Sequence, residues 1–277
     1  MAEFLVEVIA NYTPQSRIVN LGNSQIVIKG AASSVAVMAH TDTTGFTLGY
    51  DRTLIPIGTP AAENADALRR AGHFDNSFKL ESKTRQQWQL AGGEEVPHGS
   101  RLVYSANPVN DGFTVTAPYL DNRAGLWAAL QLLLTCPNIA VAFTSGEEVS
   151  GIGARSCARY LSENLSINRV LISDITWDTD YVHVGQGPAV SLRDASVPNR
   201  QFVDEVVQLA RSSGIRHQIE IESDGGSDGA HIDDGSYPID WVFVGAPETN
   251  PHSSHETMSL DDLRSMAELL KYLVDNV

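Results

Sequence analysis

The stretch from Ile139 to Glu148, Ile-Ala-Val-Ala-Phe-Thr-Ser-Gly-Glu-Glu, constrains this chain more than any other. An apolar run of buried-strand length is released by a Ser-Gly turn into two adjacent carboxylates. Neighbouring residues leaving a strand point in different directions. One of Glu147 and Glu148 can therefore hold a cation while the other handles protons. The ordinary reading of a Glu-Glu pair is a solvated turn, and Glu94-Glu95, set among Gly92, Gly93 and Pro97, reads that way. What separates Glu147-Glu148 is that other strands of the chain end similarly. The apolar run from Val35 to Ala39 is followed at once by His40-Thr-Asp42, and the run from Arg169 ends in Asp174. Strands apolar on both faces belong inside a sheet covered by helices, and such sheets keep their sites at the strands' carboxyl ends.

Taken in order, residues 3–11 read as a short helix and residues 25–29 as a strand. Between about Gly45 and Thr116 the pattern changes. Strand-like pieces at 78–80, 87–90 and 102–105 are separated by Gly, Pro and Asn turns, and helical periodicity is confined to 61–71. His73 and His98 fall here and read as surface histidines. Helical spacing resumes with Ala124, Leu126, Trp127, Leu130 and Leu134, placing Asp121 at a helix start, where capping is its ordinary role. A helix over 153–164, strands over 190–192 and 218–221, and a helix over 201–212 follow. Residues 223–231 form a Gly-rich polar loop without the Lys-Ser/Thr ending of a phosphate loop. A strand over 240–244, a loop carrying His252-Ser-Ser-His255-Glu256 and a helix over 260–274 close the chain. The expected fold is a three-layer α/β/α mixed sheet built from residues 1–45 and 117–277, with a small, mainly β insertion over 46–116.

At 277 residues the chain can bury a full core. Cys136 and Cys157 are its only cysteines, too few for a disulfide framework and read as reduced thiols. No apolar run approaches the roughly 20 residues of a bilayer span, and a leader signature is absent, so a cytoplasmic location is expected. The formal charge of −15 argues against nucleic acid or an anionic membrane as partner.

Collecting the strand and helix junctions gives His40, Asp121, Glu148, Asp174 and one of His252 or His255, with Glu147 in reserve. Each alone has a plain structural explanation. Together they offer two imidazoles and several carboxylates at one edge of a sheet, an N/O set suited to a pair of divalent ions such as zinc, cobalt or manganese.

The chain resembles the di-metal aminopeptidases of the tetrahedral-aminopeptidase and glutamyl-aminopeptidase group. The resemblance rests on Ala39-His40-Thr-Asp42, Leu120-Asp121-Asn122-Arg123, Glu147-Glu148-Val-Ser-Gly151, Ser173-Asp174, Gly226-Ser227-Asp228 and His252-Ser253 with Glu256. It implies the zinc-peptidase type of α/β fold and removal of N-terminal residues from peptides. His40 and Asp174 would hold one ion, Glu148 and His252 the other, and Asp121 would bridge them. Glu147 would be the general base, Asp42 would orient the His40 ring, and His231 would line the pocket. A deacylase of N-acyl amino acids with the same centre is the alternative, and a metal-free binding relative a remoter one. Three departures stand out: Asn122 replaces an Asp, Thr249-Asn250-Pro251 replaces an Arg-Tyr pair, and the insertion reads as shorter than usual. The last two lead to the expectation of a monomer or small homo-oligomer.

Overall fold

The computed structural model describes residues 2–277 except 32, 64–65, 74–76, 85–86 and 94. Glu94, half of the polar turn expected above, lies outside the described residues.

Two sheets make up the architecture: a large mixed one and a closed six-stranded barrel. The centre of the large sheet is four parallel strands, Ile139–Thr144, Ala36–His40, Arg169–Trp177 and Asp240–Thr249, side by side in that order. These are the apolar runs of the sequence, and side-chain alternation divides them between two faces. Val37, Ala39, Val141, Phe143, Leu171, Val242 and Val244 pack under the helices Ala2–Tyr12, Leu120–Thr135, Arg200–Ser213 and Leu260–Asn276. Met38, Ala140, Ala142, Ile172, Trp241 and Phe243 face the helix Ile152–Leu165. Each such fully buried Val, Leu, Ile, Met or Phe side chain stabilises the fold by about 1.5–3 kcal/mol relative to exposure. The result is the three-layer α/β/α arrangement.

The helices carry ordinary start and stop signals. In Arg200–Ser213, Phe202, Val203, Val206, Val207 and Ala210 form the buried stripe, the Asn199 side chain accepts from the Gln201 N–H, and Gly214 ends the helix at φ +69°. No described helix is long and apolar enough to cross a membrane.

The barrel runs through the strands Gly45–Leu48, Thr53–Ile57, Gln87–Ala91, Ser77–Thr84, Ala67–Arg70 and Arg101–Tyr104. Phe46, Leu48, Leu54, Leu68, Leu80, Leu90, Leu102 and Tyr104 fill it. Residues 67–70, expected within a helix, form a strand paired on both sides, because only Leu68 of that segment is buried and the barrel takes it. The strands Val109–Asn110 and Thr114–Ala117 pair with the large sheet through Glu256–Ser259, so the barrel itself ends before the boundary expected at residue 116. Tyr104 stacks on Tyr119 with ring centroids 6.0 Å apart, joining the barrel core to the approach of the Leu120 helix.

Candidate metal centre

Register decides which residues meet. Thr144 pairs with His40 across one side of the central strand, and Ile172 pairs with Met38 across the other, which brings Asp174 level with His40. The ends of the parallel strands thus deliver His40, Asp174 and the Ser145–Glu148 turn to one edge. Asp121 arrives from the opposite layer. Its backbone (φ −78°, ψ 105°) is not helical, and neither is that of Asn122, so the regular helix begins after them. The capping role expected of Asp121 falls to Asn122, whose Oδ1 accepts the Gly125 N–H at 2.8 Å while its Nδ2 donates to the Ser173 carbonyl at 2.9 Å. This substitution for an acid ties the Asp121 segment to the Asp174 strand and leaves the Asp121 carboxylate free to face the edge.

Two clusters of ligand-type atoms result, His40–Asp121–Asp174 and Asp121–Glu148–His252. Asp121 belongs to both through different oxygens: Oδ1 lies 2.9 Å from His40 Nε2, and Oδ2 lies 3.2 Å from His252 Nε2. Asp174 Oδ1 is 3.5 Å from His40 Nε2, and Glu148 Oε2 is 3.7 Å from His252 Nε2. His255 is in neither cluster. The ring of His252 is held from behind: its Nδ1 has both of its partners on Thr59, the hydroxyl at 2.9 Å and the carbonyl at 3.1 Å. Nε2 is then the atom offered to a cation. Thr59, contributed by the segment after a barrel strand, was invisible as a site residue in the sequence, since a lone Thr 193 positions from its histidine carries no signal.

Asp42 makes a different set of contacts from those of a simple ring-orienting partner. Its carboxylate is 3.8 Å from His40 Nδ1, beyond hydrogen-bond reach. Instead it accepts the backbone N–H groups of Gly146 (2.7 Å), Glu147 (3.2 Å) and Glu148 (3.2 Å). Asp42 therefore fixes the turn from which both glutamates project.

Electrostatics favour a cation here. Burial would lower the His40 imidazole, but the Asp174 and Asp121 carboxylates hold it well above its ordinary range. Burial opposes ionisation of Asp121 too, yet two facing imidazoles bring it below the usual range. Asp174, with one imidazole, is left raised by burial. Burial and the Asp121 charge push Glu148 up to about 7, and desolvation with the Asp228, Asp174 and Asp121 charges raises Glu147 well above a normal carboxyl. His252, which burial alone would lower, is pushed up to about 9 by Asp121 and Glu148. His40 Nδ1, Glu148 Oε1 and Asp228 Oδ1 are buried without hydrogen-bond partners. Crowded carboxylates with unsatisfied oxygens and imidazoles facing them fit divalent cations, which would replace the protons these groups otherwise retain.

The centre opens into a cavity of about 580 Å³ that also contains Glu147, His231, Trp177 and Phe243. Away from the two clusters its wall carries Asp194, Glu220, Glu222 and Asp224, and no Lys or Arg is among its described lining residues. Asp228, part of the expected motif, lies beneath, with Oδ2 accepting from Thr144 Oγ1 at 2.5 Å and burial pushing the carboxyl up to about 7. The segment expected as a loop through His231 turns into a short helix at Asp228–Asp233, capped by Ser227.

Comparison with known proteins agrees with this fold. A relative from Acetivibrio thermocellus, provisionally named an aminopeptidase, is 27% identical across 97% of this chain and 90% of its own length. A TET aminopeptidase from a marine sediment Thaumarchaeota archaeon superposes with TM-score 0.87 at 19% identity, covering 100% of this chain and 91% of that one. The TET1 peptidase of Pyrococcus horikoshii, described as assembling into a tetrahedron or a large octahedral shell, superposes with TM-score 0.82 at 19% identity over 100% of this chain and 94% of its own. Another TET1 structure, a dodecamer, gives TM-score 0.84 at 19% identity, covering 99% of this chain and 94% of that one. The two TET1 structures are thus larger assemblies than the monomer or small homo-oligomer expected here from the sequence. Residues 93–269, more than half of the chain, match the profile of the M42 glutamyl aminopeptidases, and the chain belongs to that family.

Proposed function

We propose that this protein removes the N-terminal residue of peptides at a centre for two divalent cations. The observation that carries this reading is the sharing of Asp121, one oxygen toward His40 and the other toward His252. His40 and Asp174 would hold one ion, and Glu148 and His252 the other. Bound there, zinc, cobalt or manganese would polarise the scissile carbonyl and lower the pKa of water. The chain's own residues supply the proton transfers. Glu147 borders the same cavity but belongs to neither cluster. Its desolvated carboxyl group, raised well above the ordinary carboxylate range, is suited to take a proton from the attacking water and return it to the leaving amine. Asp42 holds the N–H side of that turn and keeps the two glutamates apart in role.

The acidic wall separates this reading from the deacylase alternative. A peptide brings a free ammonium group to the cavity, whereas an N-acyl amino acid brings only a carboxylate, which Asp194, Glu220, Glu222 and Asp224 would repel. Aminoacyl-nitroanilides assayed against N-acetyl amino acids, each with zinc, cobalt and manganese, test the choice. Turnover of the free-amino substrates alone is expected, and exclusive turnover of the acetylated ones would overturn it. Glu147→Gln should retain both ions yet lose about 10²- to 10⁴-fold in kcat.

We further propose that the barrel, within the span 46–116, is an inserted subdomain and that the chain assembles into a particle larger than a dimer, as the two TET1 structures do. Light scattering of the purified protein is the direct measure, and a monodisperse monomer would refute the larger assembly.

A further inference from the structure

The Glu147 turn is held from two sides. Asp42 accepts the N–H of Glu147 itself and of the residues before and after it. The carbonyl of Glu147 lies 3.2 Å from His231 Nε2. A carbonyl can only accept, so the imidazole donates, and its other nitrogen does not need the proton. His231 comes from a helix 84 residues away in sequence. Three contacts fix that helix. Asp228 accepts from Thr144 Oγ1 at 2.5 Å, Asp233 accepts the Trp241 indole N–H at 2.9 Å, and Gly229 lies so close to the Trp241 ring that a Cβ there would stand 2.6 Å from it. The ring of His231 is seated just as closely against the turn. A Cβ added at Gly151 would lie 1.9 Å from its Cγ, so only glycine leaves room for the imidazole.

We propose that His231 is a positioning residue for Glu147: by holding the carbonyl while Asp42 holds the N–H, it fixes the peptide planes on both sides of the Glu147 Cα and so aims the carboxylate. This rests on Glu147 acting as the base. His231 belongs to neither ligand cluster, and its effect passes through the Glu147 backbone. A carboxylate released by an ångström from its working geometry costs on the order of 10²-fold in rate.

The test uses the metal-loaded, full-length protein and a free aminoacyl-nitroanilide. His231→Ala should lower kcat by about 10- to 100-fold, with KM within about two-fold of wild type and metal content and melting midpoint unchanged. His231→Gln, whose amide can donate to the same carbonyl, should recover most of the loss. Should the Ala variant fail to fold, His231→Asn, polar but too short to reach the carbonyl, takes its place. In the double variant with Glu147→Gln, losing His231 should cost nothing further, because both changes remove one function. Wild-type kcat in His231→Ala, equal losses in the Ala and Gln variants, a change confined to KM, or multiplicative losses in the double variant would each overturn the proposal while leaving the base in place. Full activity in Glu147→Gln alone would overturn the base itself and this inference with it.

Discussion

Replacing Gly125 with Ala should destabilise the protein, although the position is inside a helix, where the same exchange ordinarily stabilises by about 1 kcal/mol. The sign is reversed by what surrounds it. An added Cβ would lie 2.1 Å from the Ser173 carbonyl oxygen and 2.2 Å from Asn122 Oδ1, so the helix must retreat from the strand by nearly an ångström. Three hydrogen bonds are strained together: Gly125 N–H to Asn122 Oδ1 (2.8 Å), Asn122 Nδ2 to the Ser173 carbonyl (2.9 Å) and Ser173 Oγ to the Gly125 carbonyl (3.0 Å). At about 1 kcal/mol each, with an overpacking cost of about 1–3 kcal/mol, the net loss after the propensity gain is about 3–5 kcal/mol. Asp121 moves with the helix and Asp174 stays with the strand, so kcat should also fall by up to about 10²-fold. Urea unfolding monitored by circular dichroism measures the first, with an unchanged slope and a lower midpoint expected. A midpoint equal to or above wild type would refute the idea that this contact orders the centre.

Three shorter predictions follow from the same geometry. His252→Ala should lower the bound metal measured by elemental analysis from two ions toward one, whereas His255→Ala should leave it unchanged. Metal-free protein should lose stability as pH rises from about 4 to 7. Asp228, ordinarily near 3.8 but raised to about 7 by burial, keeps its proton in the folded state while the unfolded chain releases it. That gap is worth on the order of 4 kcal/mol, so chelator-treated protein should melt higher at pH 5 than at pH 8, and the opposite order would refute the assignment. Cys136 and Cys157 are buried, and burial raises both thiols. Neither should react with a thiol reagent at neutral pH until the protein unfolds.

The large sheet was legible because its four parallel strands are apolar on both faces and end in residues that are costly to place there without a task. His40, Glu148 and Asp174 could be read from their own strands. Asp121 could not be told from a cap, since both roles put a short acid before a helix. Only the fold reveals that Asn122 does the capping. The barrel was hard to read for a different reason. Its strands bury one side chain in two over short lengths, and around Leu68 the neighbouring alanines imitate a helical stripe. The short strand Glu256–Ser259 is polar in composition and exists because its backbone pairs on both sides. Contacts such as Thr59 with His252 and His231 with Glu147 join distant segments through backbone carbonyls, and no local pattern announces them.

The loop that carries His252 links two paired strands of the large sheet, and its tip is stitched to the barrel and its approach. The Ala61 N–H donates to the His252 carbonyl at 3.0 Å, Ser254 Oγ donates to Asp66 at 2.7 Å, and the imidazole is tethered to Thr59. His40 and Asp174, in contrast, stand on adjacent strands of one rigid sheet. The two halves of the centre therefore rest on different foundations, and a slight rocking of the barrel would tilt one imidazole while leaving the other still. In a gradual denaturation, the cation beside His252 would depart first, and its loss would register loosening of the seam between barrel and sheet before any strand of the core had parted.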